Sequence, residues 1–312
     1  MKRITSLVFL SLLMFAAVSL SSWTANPAAQ SGRNTGNADK SAILNVIVRS
    51  SSGQTVQTFD KDRFLLFDGG IQQQIEYFRA DPTGARMILL VDNSQTLRAE
   101  LPQIQKISQT IIKELYEGDE LMIIGFNEQA EIIQDFTGDL KALQGSLAKY
   151  RRQGFPKLYD ALSATIEDAF RKQIGVNKRA IILISDGYDR GSATKYESIL
   201  STLLNENIVL YAFQVQDRTF GAIRARDTGP KPVDAITGLV ESTGGVVFKI
   251  DKLEEAQANA KAIVDEMRES WYTLAYTPKG INPINARRLL ITTSDDKLSL
   301  RTKKLHPAQL NR

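Results

Sequence analysis

The chain has 312 residues, of which 43% are hydrophobic and 24% are charged. This length suggests one large domain or two modest ones, and the composition excludes both global disorder and a polytopic membrane protein. Lys and Arg number 39 against 35 Asp and Glu, which gives a formal net charge of +4. The basic residues are scattered and form no block along a phosphate backbone, so the sequence argues against a nucleic-acid partner.

The chain contains no cysteine and one histidine, His306. This excludes thiol nucleophiles, disulfides, zinc sites built on Cys or His, and a Ser/His relay in the core. Any metal must therefore be held by oxygen ligands, which favours a hard cation such as magnesium, calcium or manganese.

The N-terminus has the residue order of a secretory signal peptide. Lys2 and Arg3 precede an apolar run over residues 4–20, and small residues follow near Ala25 and Ala28. We predict a signal peptide over residues 1–25, a flexible polar leader over residues 26–40, and an exported protein, periplasmic or extracellular. The alternative is an uncleaved membrane anchor, because the run approaches the ~20 residues that span a bilayer.

Residues 41–82 alternate short apolar runs with turns, a pattern typical of β-strands. The runs lie at residues 43–48, 56–59, 64–67 and 75–78. The same pattern of short apolar runs and turns recurs over residues 271–312, with strands expected at 272–276, 287–293 and 298–303. We predict that these N- and C-terminal flanks pair into one small β element beside the central domain.

Residues 83–270 alternate apolar strands with amphipathic helices. The apolar runs at 87–91, 121–126, 180–184 and 208–213 are unbroken, as expected for parallel strands covered on both faces. Helical stripes lie at 101–115, 158–174 and 253–271. This alternation predicts an α/β domain with a doubly wound, mostly parallel sheet.

Polar residues follow two of these strands, where ligands bind in open α/β sheets. Asp92, Ser94 and Thr96 follow the first strand, and Asp186 follows the strand at 180–184. Two carboxylates and two hydroxyls suit a magnesium ion that keeps some waters, and a cation would relieve the repulsion between the carboxylates. The alternative is that these side chains cap the following helices.

The residues of three segments resemble the von Willebrand factor type A (vWA) domain. ILLVDNSQT resembles its Asp-x-Ser-x-Ser loop, AIILISDGYDR its second acidic loop, and GFPKLYDAL the intervening loop and helix start. The flanks Phe59–Gly69 and Tyr272–Pro278 are similar to segments of an exported bacterial vWA-related subfamily. The resemblance extends from about residue 43 to residue 303.

This resemblance implies a Rossmann-like domain with a metal-ion-dependent adhesion site, which binds a partner protein and is not a catalyst. It implies that Asp92, Ser94, Thr96 and Asp186 hold Mg²⁺, or Mn²⁺ or Ca²⁺, and that a partner's carboxylate completes the metal shell. The family's second-loop threonine falls on Pro156, which has no hydroxyl and fixes its own φ. If Lys157 points inward, its cation replaces the metal as the partner of these carboxylates.

The sequence therefore predicts an exported, non-enzymatic protein that binds another protein through a partly degenerate adhesion site. One alternative is a metal-free structural scaffold. Another is a metal-dependent phosphoester hydrolase, although Ser94 stands where a second acid would be expected and no histidine is available as proton donor. Gly244-Gly245 lacks the spacing of a dinucleotide site, and loop charges such as Asp189, Arg190, Arg224 and Arg226 are usually solvated.

Overall fold

The computed structural model describes residues 41–50, 59–97, 101–173, 178–215, 232–250, 253–282 and 285–307. The strands are β1 (Ala42–Ser50), β2 (Phe64–Asp68), β3 (Ile71–Gln73), β4 (Tyr77–Ala80), β5 (Arg86–Asp92), β6 (Glu120–Phe126), β7 (Ala130–Thr137), β8 (Arg179–Ser185), β9 (Val209–Gln214), β10 (Val247–Lys249), β11 (Trp271–Tyr276), β12 (Arg287–Thr293), β13 (Leu298–Thr302) and β14 (Leu305–His306). The α-helices are α1 (Leu101–Lys113), α2 (Leu140–Ser146), α3 (Leu158–Thr165), α4 (Tyr196–Asn205), α5 (Pro232–Thr243) and α6 (Leu253–Glu269). The predicted signal peptide and leader, Val56 of an expected strand, and Arg224 and Arg226 lie outside the described residues.

The central sheet has the strand order β10-β9-β8-β5-β6-β7. All neighbouring strands run parallel except β7, which pairs antiparallel with β6 at one edge. The prediction of a doubly wound, mostly parallel sheet is confirmed. The antiparallel edge strand β7 was not predicted, because its mostly exposed residues give no apolar run.

Helices cover both faces of this sheet, and successive residues of β5 point to opposite faces. Met87, Leu89 and Val91 pack in one core with the apolar stripes of α1 and α6. Ile88 and Leu90 pack in a second core with α3, α4 and α5. Burial on both faces explains why the sequence of this strand is an unbroken apolar run.

The stripe at 158–174 is predicted as one helix, but the described part of it is not uniform. The α-helix α3 ends at Thr165, and a π-helical turn follows over Ile166–Phe170. Apolar residues spaced by four drift around an α-helix of ~3.6 residues per turn, whereas the wider π-turn reverses the drift. Leu158, Leu162, Ile166 and Phe170 are thereby all fully buried.

The N- and C-terminal flanks pair with each other as predicted, and the β element that they form consists of two four-stranded antiparallel sheets. Their strand orders are β13-β1-β11-β4 and β14-β12-β2-β3. The first sheet is apolar on both faces: Ile47 and Trp271 pack on the α/β core, whereas Val46 and Tyr272 pack against the second sheet. A second sheet is needed because this outward apolar face would otherwise be exposed to water.

Buried charges join the flanks to the α/β core. Glu266 of α6 accepts hydrogen bonds from the Tyr211 hydroxyl in β9 and from Arg301 in β13. Lys303, after β13, donates to the Leu204 carbonyl at 2.9 Å and to Asn207 Oδ1 at 2.6 Å. Burial lowers the pKa of Lys303 to about 8, although the charge of Asp68 opposes this shift. Within the described residues, no helix combines the length and apolar character needed to cross a membrane.

Candidate functional site

The predicted acidic loops lie at the same edge of the central sheet. Strands β5 and β8 are parallel neighbours with Val91 opposite Ile184, so Asp92 comes level with Ser185, and Asp186 follows directly. The Ser185 hydroxyl donates to Asp92 Oδ2 at 3.0 Å and joins the two loops. The topology therefore brings the ends of these two strands together.

Asp92 is a buried carboxylate, with only 1% of its surface exposed. Its Oδ1 accepts the backbone N–H of Ser94 at 2.9 Å, and its Oδ2 accepts the Ser185 hydroxyl. Burial raises the pKa of Asp92, although hydrogen bonds from Ser94 and Ser185 and the charge of Arg152 favour the ionised form. Because these hydrogen-bond donors are neutral, the ionised carboxylate would gain free energy from a cation.

The other predicted ligands lie in the same two loops. Ser94 is fully buried, and its hydroxyl lies 3.1 Å from the Thr96 hydroxyl. Asp186 is 3% exposed, and its Oδ1 accepts the backbone N–H of Tyr188 at 3.0 Å. The four residues offer carboxylate and hydroxyl oxygens, the donor types that Mg²⁺, Mn²⁺ and Ca²⁺ prefer.

The third loop, residues 151–157, is hydrogen-bonded to the loop after β5. Gln153 N–H donates to the Asn93 carbonyl at 3.0 Å, and Gln95 N–H donates to the Gly154 carbonyl at 3.2 Å. Gly154 has φ +64°, a conformation that other residues adopt only with strain. The glycine lets the chain turn back over the end of the sheet at this position.

Pro156 is buried in this third loop and offers no oxygen from its side chain. Its carbonyl accepts the backbone N–H of Arg190 at 2.7 Å. In the part of the chain that the structure describes, no three Asp, Glu or His side chains form a group that could hold a metal ion. A cation at these loops would take at most two carboxylates and two hydroxyls from Asp92, Ser94, Thr96 and Asp186, and water would complete its shell.

Arg152, which was not considered from the sequence as a partner of Asp92, is a cation whose charge acts on this carboxylate. The exposed Arg152 lowers the pKa of Asp92 electrostatically, whereas the charge of Lys157 acts on Asp160. Burial opposes ionisation of Asp160, but the backbone N–H groups of Thr194 and Ala193 outweigh it, and the pKa is lowered. Asp160 therefore links the start of α3 to the loop before α4 through these hydrogen bonds.

The site contains one important residue that sequence reasoning missed. Ser185 was not proposed as a functional residue, yet its hydroxyl bridges Asp92 and the Gly187 N–H. Its position directly before Asp186 on a buried strand is the signal that could have identified it. Asp189, expected to be solvated, accepts Tyr159 N–H at 3.2 Å, and the Arg190 guanidinium lies 5.3 Å from the centre of the Phe155 ring.

The family model described as von Willebrand factor type A domain matches residues 87–188, which contain all of these loops. This part of the chain matches the vWA domain family. Domains of this family commonly mediate protein–protein interactions. No curated protein matches the chain.

Several solved structures are similar to this chain at low sequence identity. The conserved hypothetical protein BatB from Bacteroides thetaiotaomicron is 18% identical, with 60% of this chain and 100% of that chain covered and a TM-score of 0.46. A von Willebrand factor type A protein from Catenulispora acidiphila is 10% identical, with coverages of 86% and 73% and a TM-score of 0.49. Proximal thread matrix protein 1 from the mussel byssus, with a zinc-occupied MIDAS motif, is 18% identical, with coverages of 64% and 49% and a TM-score of 0.48.

Replacing Asp92 of the vWA domain with asparagine is expected to raise the free energy of unfolding of the metal-free protein at pH 7 by about 1–3 kcal/mol. The pKa of Asp92 is raised on folding from its ordinary value of 3.8, so the folded parent loses stability as the pH rises from 3.8 through the raised pKa. Urea unfolding between pH 3 and pH 8 measures the difference. The advantage of Asp92→Asn should vanish below pH 3.8. A variant less stable than the parent at pH 7 would contradict this account.

Proposed function

We propose that this chain is an exported, non-enzymatic protein whose vWA domain binds another protein through the loops that follow β5 and β8. The observation that carries the proposal is the convergence of Asp92, Ser94, Thr96 and Asp186 at one edge of the sheet. A buried carboxylate with a raised pKa destabilises a fold at neutral pH, and such groups concentrate at functional sites. Export rests on the signal peptide proposed for residues 1–25, and we propose 83–270 as the limits of the vWA domain.

A divalent cation, Mg²⁺, Mn²⁺ or Ca²⁺, is the proposed cofactor of this site. Asp92, Ser94, Thr96 and Asp186 are its proposed ligands within the chain. When bound, the cation supplies a positive charge that attracts a carboxylate of the partner protein. The protein's own residues position the oxygens: Ser185 holds Asp92, and the Ser94 N–H fixes the turn that carries both hydroxyls.

A metal-free scaffold is the second candidate, and one observation favours it. Pro156 contributes no side-chain oxygen, and its carbonyl is already bonded to Arg190. In this case, Arg152 supplies the charge that acts on Asp92, and the domain binds through the shape of its loops. The two candidates differ in whether a cation stabilises the folded protein.

Site-specific photocrosslinking tests where the partner binds. A photoreactive amino acid is placed at Gln95, an exposed position in the loop after β5, in cells that produce the full-length protein naturally. We expect a discrete adduct from Gln95 and none from a control at Leu140, which is 38% exposed on α2. Adding Asp92→Asn should reduce the adduct at least tenfold while the protein stays folded. An adduct that is unchanged by Asp92→Asn would show that the proposed site does not carry binding.

A further inference from the structure

The second flanking sheet, β14-β12-β2-β3, carries a groove of about 980 Å³ that is open to solvent. None of its lining residues belongs to the adhesion-type site. Its lining includes Phe67, Ile71, Arg287, Arg288, Leu290 and Lys304. Gly69, Gly70 and Gly280 also line the groove and leave room for a second backbone to approach.

The floor of the groove is an exposed apolar patch. Leu290 is 58% exposed and lies directly opposite Phe67 across the β2–β12 ladder, so the two side chains share one face. Leu65, two residues before Phe67, is 44% exposed on the same face, and Ile71, which lies opposite Asp68 on the edge strand β3, is 42% exposed. Contiguous exposed apolar side chains of this kind mark docking surfaces.

The groove is also cationic. Its lining includes Arg287, Arg288 and Lys304, and it includes no Asp or Glu among the residues that the structure describes. Lys304 forms an exposed ion pair with Glu241 at 2.8 Å. Arg287 is paired with the buried Asp68, so the exposed Arg288 and Lys304 supply the positive charge beside the apolar floor, which complements a ligand that is both acidic and apolar.

Arg287 differs from its neighbours in the lining because it points to the buried face of β12, whereas Arg288 and Leu290 are on the exposed face. Its side chain is 9% exposed, and its Nε and Nη2 donate to Asp68 at 2.8 Å and 3.3 Å. Its third nitrogen, Nη1, is buried and has no hydrogen-bond acceptor among the described residues. This nitrogen lies in the core between the flanking sheets, so the cations that a ligand on the exposed face meets are Arg288 and Lys304.

We propose that this groove binds an extended, acidic and apolar segment of a partner protein. Alternate side chains of such a segment pack on Leu290 and Phe67, and a neighbouring carboxylate pairs with Arg288. An extended peptide fits better than a small amphiphile, because the groove is open and its floor is a sheet face on which side chains repeat every second residue. This surface is independent of the function proposed for the vWA domain.

Fluorescence anisotropy with a fluorescein-labelled octapeptide of alternating leucine and glutamate tests the proposal on the full chain. We expect this peptide to bind at least tenfold more tightly than an alternating leucine–lysine peptide. Leu290→Asp and Arg288→Glu, both at exposed positions, should each weaken binding at least fivefold. Ile132→Asp is the matched control, because Ile132 is 56% exposed on β7, away from the groove lining, and it should leave the affinity unchanged.

Three results would overturn the proposal. The leucine–glutamate peptide does not bind, both peptides bind equally, or binding is insensitive to the Leu290 and Arg288 variants. Binding of decanoate in place of the peptide would assign the groove to a small amphiphilic carboxylate. The Asp92→Asn variant should bind the peptide as the parent does, and loss of peptide binding in that variant would place the peptide at the vWA loops.

Discussion

Replacing Asp68 with alanine is expected to lower the free energy of unfolding by about 3–5 kcal/mol, the usual cost of breaking a buried ion pair by removing one partner. Asp68 is fully buried and accepts hydrogen bonds from Arg287 and from the Tyr276 hydroxyl at 2.8 Å. The substitution would leave the Arg287 charge and the Tyr276 hydroxyl in the core between the flanking sheets. Urea unfolding measures the loss, because its midpoint falls at an unchanged slope.

Two controls separate the buried pair from an ordinary surface pair. Asp295→Ala removes the partner of Arg63, whose side chain is 48% exposed, and should cost no more than about 1 kcal/mol. The double variant Asp68→Leu/Arg287→Met should be far more stable than the sum of its single changes predicts, because neither charge is left alone. Additive effects in the double variant would contradict the assignment of this pair.

Replacing Pro156 with threonine is expected to strengthen the response of the protein to Mn²⁺. The new hydroxyl adds an oxygen to those of Asp92, Ser94, Thr96 and Asp186. At a hundredfold excess of metal over the dissociation constant, binding stabilises the folded state by about 2.7 kcal/mol. Thermal melts with Mn²⁺, with Mg²⁺ and with EDTA measure the shift, which should be larger in Pro156→Thr than in the parent.

Pro156→Val is the matched control, because valine has the shape of threonine without its hydroxyl. The metal-dependent shift in melting temperature of Pro156→Val should equal that of the parent. Any shift without metal that both variants show comes from the loss of the proline ring. Asp92→Asn should abolish the metal response in every background. A response that persists in Asp92→Asn would place the cation elsewhere, and no response in Pro156→Thr would favour the metal-free scaffold.

The sequence by itself determined the central sheet and the loops that follow it. Unbroken apolar runs such as 87–91 indicate strands that are buried on both faces. Strands of this kind occur in parallel sheets covered by helices, so the runs alone predict the central sheet. The polar residues Asp92 and Asp186 directly follow such runs, so their place at the carboxyl edge followed from the strands. Their role as metal ligands stays a prediction.

Only the tertiary structure decided which partners these elements meet. The flanks form two sheets because β1 and β11 bury both faces, which their short runs do not reveal. The bridge from Ser185 to Asp92, the charge of Arg152 acting on Asp92, and the ion pair of Arg287 with Asp68 each join residues distant in the chain. Local periodicity records whether a residue is buried, whereas the identity of its neighbour depends on strand order and register, which long-range packing sets.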